Sequence, residues 1–140
     1  YQNNKKFRIF LNFHGVSYKE GTKKFYQNTK RTAISSLYKI NEKSKQYLVV
    51  KKKKYYNDQE KKLIKIVTLN KYVKEKKIKK IDLIKIDTQG YNYEILEGSI
   101  KTLKDTLGVE TEVEFTKLYT NQKLFGDVNK ILIKNIEPTR

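Results

Sequence analysis

Hydrophobic and polar positions change rhythm several times along this chain, and each change marks an element. From 7 to 17, Phe7, Ile9, Leu11 and Phe13 fall on alternate positions, the period-two pattern of a strand with one apolar face. Lys19-Glu20-Gly21-Thr22 reads as a turn, and 23–27 predicts a short return strand. Residues 28–44 are polar, with only Ile34, Leu37, Tyr38 and Ile40 as anchors. Two more strand-like stretches, 47–50 and 63–69, flank a lysine-rich loop. A short helix is expected over 70–77, with Tyr72 and Val73 turned inward. The segment 81–86 is apolar on both faces, as in a central parallel strand covered on both sides. After Gly90, the residues Tyr91, Ile95, Leu96, Ile100, Leu103 and Leu107 recur at steps of three and four and predict one long helix. A strand over 109–115, a helix over 127–133 and a loose tail carrying Pro138 complete the pattern. Strands alternating with helices predict an α/β fold.

Composition narrows the class. A chain of 140 residues is one domain or part of one, long enough to build a core. It has no cysteine, so neither a disulfide framework nor a thiolate metal site is expected, and a cytoplasmic location is the default. No apolar run approaches a membrane span of roughly 20 residues, and no signal peptide is visible. The chain opens on Tyr1 in strand-like sequence and reads as a piece of a longer protein. No internal repeat or Gly/Ser linker divides it.

Charge is unevenly spread. The net charge is +17, yet residues 1–80 hold 24 Lys and Arg against 5 Asp and Glu, while 81–140 hold 8 against 10. Only Arg8, Arg31 and Arg140 are arginines, and base-reading surfaces favour the planar guanidinium. Abundant Lys, Asn, Ile and Tyr together match the bias of an AT-rich genome. The balance therefore disfavours nucleic acid as a partner. Lys51–Lys54 beside Tyr55 and Tyr56 forms the best candidate patch for the rival reading, a lysine-rich nucleic-acid-binding module.

Candidate chemistry concentrates at the end of the 81–86 strand. Asp87 follows it directly and Gly90 turns the chain into the helix, which is where open α/β sheets place ligands. Asp87 is a site acid or a turn-capping carboxylate, and Gln89 and Gly90 continue the turn. Glu110, Glu112 and Glu114 alternate with Val109, Thr111, Val113 and Phe115, placing three carboxylates on one strand face. Such a face is open to water or turned into a polar cleft. Glu112 and Glu114 lie nearer the strand's carboxyl end and are the better site candidates. His14, the single histidine, fits a packed or solvated residue better than a catalyst. Ser35 and Ser36 are polar pocket groups or loop serines. No His/Asp/Glu cluster has metal-ligand spacing, and no metal is expected.

The residues 81–91, Ile-Asp-Leu-Ile-Lys-Ile-Asp-Thr-Gln-Gly-Tyr, followed by Glu94-Ile95-Leu96-Glu97-Gly98, resemble the signature of the FkbM-type S-adenosylmethionine-dependent methyltransferases. Val67-Thr68-Leu69 resembles that family's strand before its "TLD" element, with Asn70 where Asp is usual. Residues 110–115, Leu118-Tyr119 and 122–128 fit its downstream block. Gly15-Val16-Ser17, Glu20-Gly21, Phe25-Tyr26 and Ser35-Ser36-Leu37 match its middle portion. Asn92 stands where an acid is frequent. The likeness is strong over 63–128 and weaker before it.

This resemblance implies a partial Rossmann-like methyltransferase sheet, about its third to fifth strands, with a strand insertion and flanking helices. It implies one partial domain over 1–140, with a strand and basic insertion region at 1–62 and a core motif region at 63–133. It implies S-adenosylmethionine as cofactor and O-methylation of a sugar or small-metabolite hydroxyl, so the partner is a small-molecule or glycan acceptor. Val16 and Ser17 should lie by the adenine, and Asp87 and Gln89 at the methyl and acceptor end. Glu112 and Glu114 should shape the substrate pocket. The family's Gly-rich turn is absent, since the six glycines are scattered and form no GxG. The final strand hairpin is also absent after Ile136. The chain alone is therefore expected to be inactive, its parent enzyme active.

Overall fold

The alternating stretches build two small sheets. The protein is described by a computed structural model covering residues 9–46 and 59–136. In chain order these residues form β1 (Gly15–Val16), β2 (Gly21–Asn28), two 3₁₀ turns (Thr32–Ile34 and Glu42–Gln46) and β3 (Gln59–Val67). Then follow α1 (Leu69–Glu75), β4 (Leu83–Ile86), α2 (Asn92–Glu97), α3 (Ile100–Leu103), β5 (Gly108–Thr111) and α4 (Phe125–Asn135). One sheet has the order β1-β3-β2, with β1 parallel and β2 antiparallel to β3. The other pairs β4 and β5 in parallel. The mixed α/β class agrees with the sequence pattern, but the single expected sheet is divided in two.

Several boundaries shift for identifiable reasons. Among the described residues of the first predicted strand only Gly15–Val16 is paired, and Ile9, Phe10, Leu11 and Phe13 are 79–91 % exposed. Alternation provides an apolar face, but nothing among the described residues covers it. The return strand pairs with β3 over eight registered positions, from Gly21 opposite Ile66 to Asn28 opposite Gln59. The predicted strand at 47–50, the Lys51–Lys54 patch with Tyr55 and Tyr56, and Pro138 lie outside the described residues.

The central strand departs from its prediction on one face. In β4, Ile84 and Ile86 are buried, whereas Leu83 and Lys85 are exposed. Helices α2, α3 and α4 cover the first face, where Ile84, Ile86, Tyr91, Ile95, Leu96, Leu103, Val128 and Ile131 form the main core. Val16, Leu37 and Leu69 are partly buried and pack against it. On the open face Lys85 pairs with Glu110 at 2.5 Å, two exposed side chains holding adjacent strands.

The predicted long helix is two short ones, broken at Gly98 and Ser99. The break has a packing cause. A Cβ on Gly98 would lie 2.0 Å from the carbonyl oxygen of Ser17, so only glycine lets the end of β1 approach this closely. The Gly98 carbonyl also accepts the N–H of Asn70 at 3.2 Å. Asn70 Oδ1 in turn accepts the N–H and hydroxyl of Thr102, which ties α1 to α3. Leu107 falls beyond this break and is 61 % exposed instead of extending the stripe.

Candidate functional site

Strand β4 ends at Ile86, and the four residues after it build the site. Gln89 and Gly90 both take left-handed backbone, with φ of 50° and 83°. At Gly90 a second demand reinforces the first: an added Cβ would meet Tyr119 Cδ2 at 2.7 Å and Gln122 Nε2 at 3.0 Å. Gln122 is itself fixed, its Oε1 accepting the N–H groups of Leu118 (2.8 Å) and Tyr119 (3.0 Å). The buried hydroxyl of Ser36 donates to the Gln89 carbonyl at 2.7 Å. The turn is clamped from both sides.

This clamping fixes the Gln89 side chain. Its Nε2 donates to Asp87 Oδ1 at 3.3 Å and reaches Glu112 Oε2 at 3.5 Å. Its Oε1 lies 3.2 Å from the Tyr119 hydroxyl, which shares its proton with the Ile34 carbonyl at 3.3 Å. Asp87, Gln89 and Glu112 thus meet at the carboxyl ends of β4 and β5. Asn92 sets the spacing between those ends. It accepts from the Thr88 hydroxyl at 2.5 Å and donates to the Glu112 carbonyl at 2.7 Å.

Glu114 is less directly involved. Strand β5 stops at Thr111, so Glu112 and Glu114 do not continue its face as the alternation predicts. Glu114 is half-buried beside Gln122. Burial raises its pKa above the usual glutamate value, with Glu112 adding to the effect and the Gln122 amide opposing it. Glu110 faces water in its pair with Lys85.

Asp87 opens onto a cleft of ≈ 690 Å³ between the two sheets. Its walls are largely apolar, from Val16, Phe25, Leu37, Ile64, Ile84 and Ile86, with His14, Ser35, Ser36 and Thr88 also lining it. His14 is exposed and its Nδ1 sits 3.1 Å from Asn12 Oδ1. Val16 is therefore on the cleft wall, while its neighbour Ser17 is not in the lining. Ser17 is fully buried, its N–H bonded to the Val67 carbonyl and its Oγ 2.7 Å from the Tyr91 hydroxyl.

Tyr91 leads into a polar network that the sequence reading assigned no role. Lys23 Nζ donates to the Tyr91 hydroxyl at 2.8 Å and lies 4.4 Å from that ring's centre. The Tyr38 ring packs edge-on against Tyr91, and its hydroxyl donates to Glu94 Oε1 at 2.5 Å. Burial raises the Glu94 pKa, opposed by the Tyr38 hydrogen bond and by Lys23. The Tyr38 hydroxyl is pushed up too, first by burial and then by Glu94. One signal was available: Glu94 stands three residues after Tyr91, on the apolar stripe, where a carboxylate needs a partner.

Among the described residues no group of three His, Cys, Asp or Glu could hold a metal ion. No described helix is long and apolar enough to cross a membrane. The arrangement can hold a polar group at Asp87 beside an apolar cleft, with Gln89 fixing the carboxylate's orientation. No curated protein and no solved structure matches the chain. The sequence does match the Methyltransferase FkbM domain over residues 2–136, a span that includes both sheets and every site residue above. The chain belongs to the FkbM methyltransferase family.

Proposed function

We propose that this chain supplies the acceptor side of an S-adenosylmethionine-dependent methyl-transfer site that modifies a hydroxyl of a sugar or small metabolite. The observation that carries the reading is Asp87, which lines the apolar cleft at the strand end while Gln89 joins it to Glu112 behind. Asp87 orients the acceptor hydroxyl and takes its proton. Gln89, held by Tyr119, keeps the Asp87 carboxylate aimed, and the value of such positioning lies in pre-set geometry. Glu112, reached by Gln89, supports the site from outside the cleft lining, and Glu114 sits further off beside Gln122.

The described residues do not fit the whole cofactor. The cleft's apolar wall, Val16 included, suits a flat ring, but Asp87 is the lining's one carboxylate. With Asp87 serving the acceptor, no lining acid is left for ribose hydroxyls, and no Gly-rich turn offers its backbone N–H groups. Ser17 has its hydroxyl engaged by Tyr91. On this reading the cofactor's ribose and its tail are held by groups other than the described cleft lining, and the cleft by itself binds the cofactor weakly.

Two measurements test this. Calorimetry of this chain with S-adenosylmethionine should show no tight binding; micromolar affinity would overturn the half-site reading. In the parent enzyme, Asp87→Ala should lower turnover by about 10²–10⁴-fold, the usual contribution of a positioned base. Unchanged turnover would remove Asp87 from the chemistry.

A further inference from the structure

The register of β2 and β3 arranges the lysines in a way that the sequence does not display. On the outer face of this pair, three successive rungs are Thr22–Lys65, Lys24–Leu63 and Tyr26–Lys61. Each rung carries one lysine and one uncharged side chain, and the lysine alternates between strands. Diagonal neighbours on such a face lie roughly 7–8 Å apart, so Lys65, Lys24 and Lys61 form a single file of cations. Among the described residues no acid interrupts it: Glu60 belongs to the inner face, where it pairs with Lys62 at 3.9 Å. Among the described residues none of the three lysines has an ion pair.

Like charges at this spacing repel, and an aligned polyanion relieves the repulsion. The file is linear rather than spread out, which matches a phosphodiester strand better than the plane of a bilayer. Leu63, 72 % exposed, and the partly exposed Tyr26 stand beside the cations and offer surface to bases. A groove of ≈ 370 Å³ runs beside β2, lined by Thr22, Lys24, Tyr26, Tyr38, Lys39 and Asn121 among others. This face is turned away from the cleft, which Phe25 and Ile64 line from the inner side.

We propose that the outer face of β2 and β3 binds single-stranded nucleic acid through its phosphates, without sequence preference. Lysine suffices for this, because phosphate contacts position a strand without reading bases. The scarcity of arginine argues only against base readout. The proposal is independent of the methyl-transfer reading.

The test is fluorescence anisotropy of the full chain with short labelled oligothymidylate and oligouridylate over a salt series. Affinity should fall with salt, and Lys24→Gln/Lys61→Gln/Lys65→Gln should reduce the log–log slope by about 2, at roughly 0.7 per single-strand phosphate contact. A control variant, Lys101→Gln/Lys104→Gln/Lys130→Gln, makes the same charge change elsewhere and should leave the slope close to wild type. Equal slopes in wild type and the first variant would overturn the proposal, as would equal effects of the two variants. Stronger retention on phosphatidylserine vesicles than on oligonucleotides, lost in the first variant, would overturn it in favour of a lipid surface. Circular dichroism of both variants checks that these exposed substitutions preserve the fold; a slope change accompanied by unfolding counts against the proposal.

Discussion

Strands β2 and β3 share eight registered pairs yet bury only Asn28 and Ile66, whereas β4 and β5 share four pairs and bury Ile84 and Ile86 beneath three helices. The first pair relies on its backbone ladder, each bond contributing about 1 kcal/mol net. The second relies on apolar burial, at about 25 cal/mol per Å². Their charges differ as well. The first pair presents lysines to solvent, and the second gathers Asp87, Glu112 and Glu114 at its end. A strand pair under a helical layer can keep carboxylates close together, because the core and not the rim holds it. A pair with little core beneath it leaves a whole face free for another molecule.

The junction between the sheets is where this comparison breaks most completely. Gly98→Ala forces a methyl group against the Ser17 carbonyl, which cannot retreat without pulling β1 from β3, since the Ser17 N–H is bonded to Val67. The expected loss exceeds about 4 kcal/mol, enough to abolish cooperative unfolding in urea. Retention of wild-type stability would mean that the two sheets do not meet as described.

A paired measurement comes next. Leu96, fully buried under the second sheet, should cost roughly 2–5 kcal/mol as Leu96→Ala. Leu63 on the first pair, an equally large side chain but exposed, should cost within about 0.5 kcal/mol as Leu63→Ala. Similar midpoints for the two variants would erase the contrast.

The smallest effect concerns Glu94. Its folded-state pKa is raised by burial, so the native protein keeps a proton over a window where the unfolded chain has lost it. The associated stability is complete below the ordinary glutamate range and declines as pH rises through the raised value. Glu94→Gln retains an acceptor for Tyr38 and cannot titrate. Its thermal midpoint should vary less than that of the wild type as pH rises from the ordinary glutamate range towards neutrality. Parallel pH profiles would show that this carboxylate does not contribute.

Much of the second sheet was legible in the sequence, and less of the first. Ile84, Ile86, Ile95 and Leu96 announced their helix–strand layer because apolar period and burial coincide there. Asp87 and Gln89 stood out as candidates because a strand, an acid and a glycine turn occur in immediate succession. The break at Gly98 escaped because its cause is Ser17, far away in sequence. Tyr119 and Gln122 belong to the family-like downstream block, but nothing in the sequence showed that they fill the space that Gly90 leaves. The register of β2 on β3 could not be read, since alternation specifies a face and not its partner. For the same reason Lys24, Lys61 and Lys65 looked like scattered surface charge.

Asn92 carries one more consequence. Its amide oxygen accepts a hydrogen bond from the Thr88 hydroxyl and its NH2 donates one to the Glu112 carbonyl, a two-way contact that a carboxylate cannot make. An aspartate there would set two oxygens face to face and push the strand ends apart. Asn92 is buried and does not line the cleft, so it works as a calliper. The width of the opening is set by a residue that whatever enters never touches.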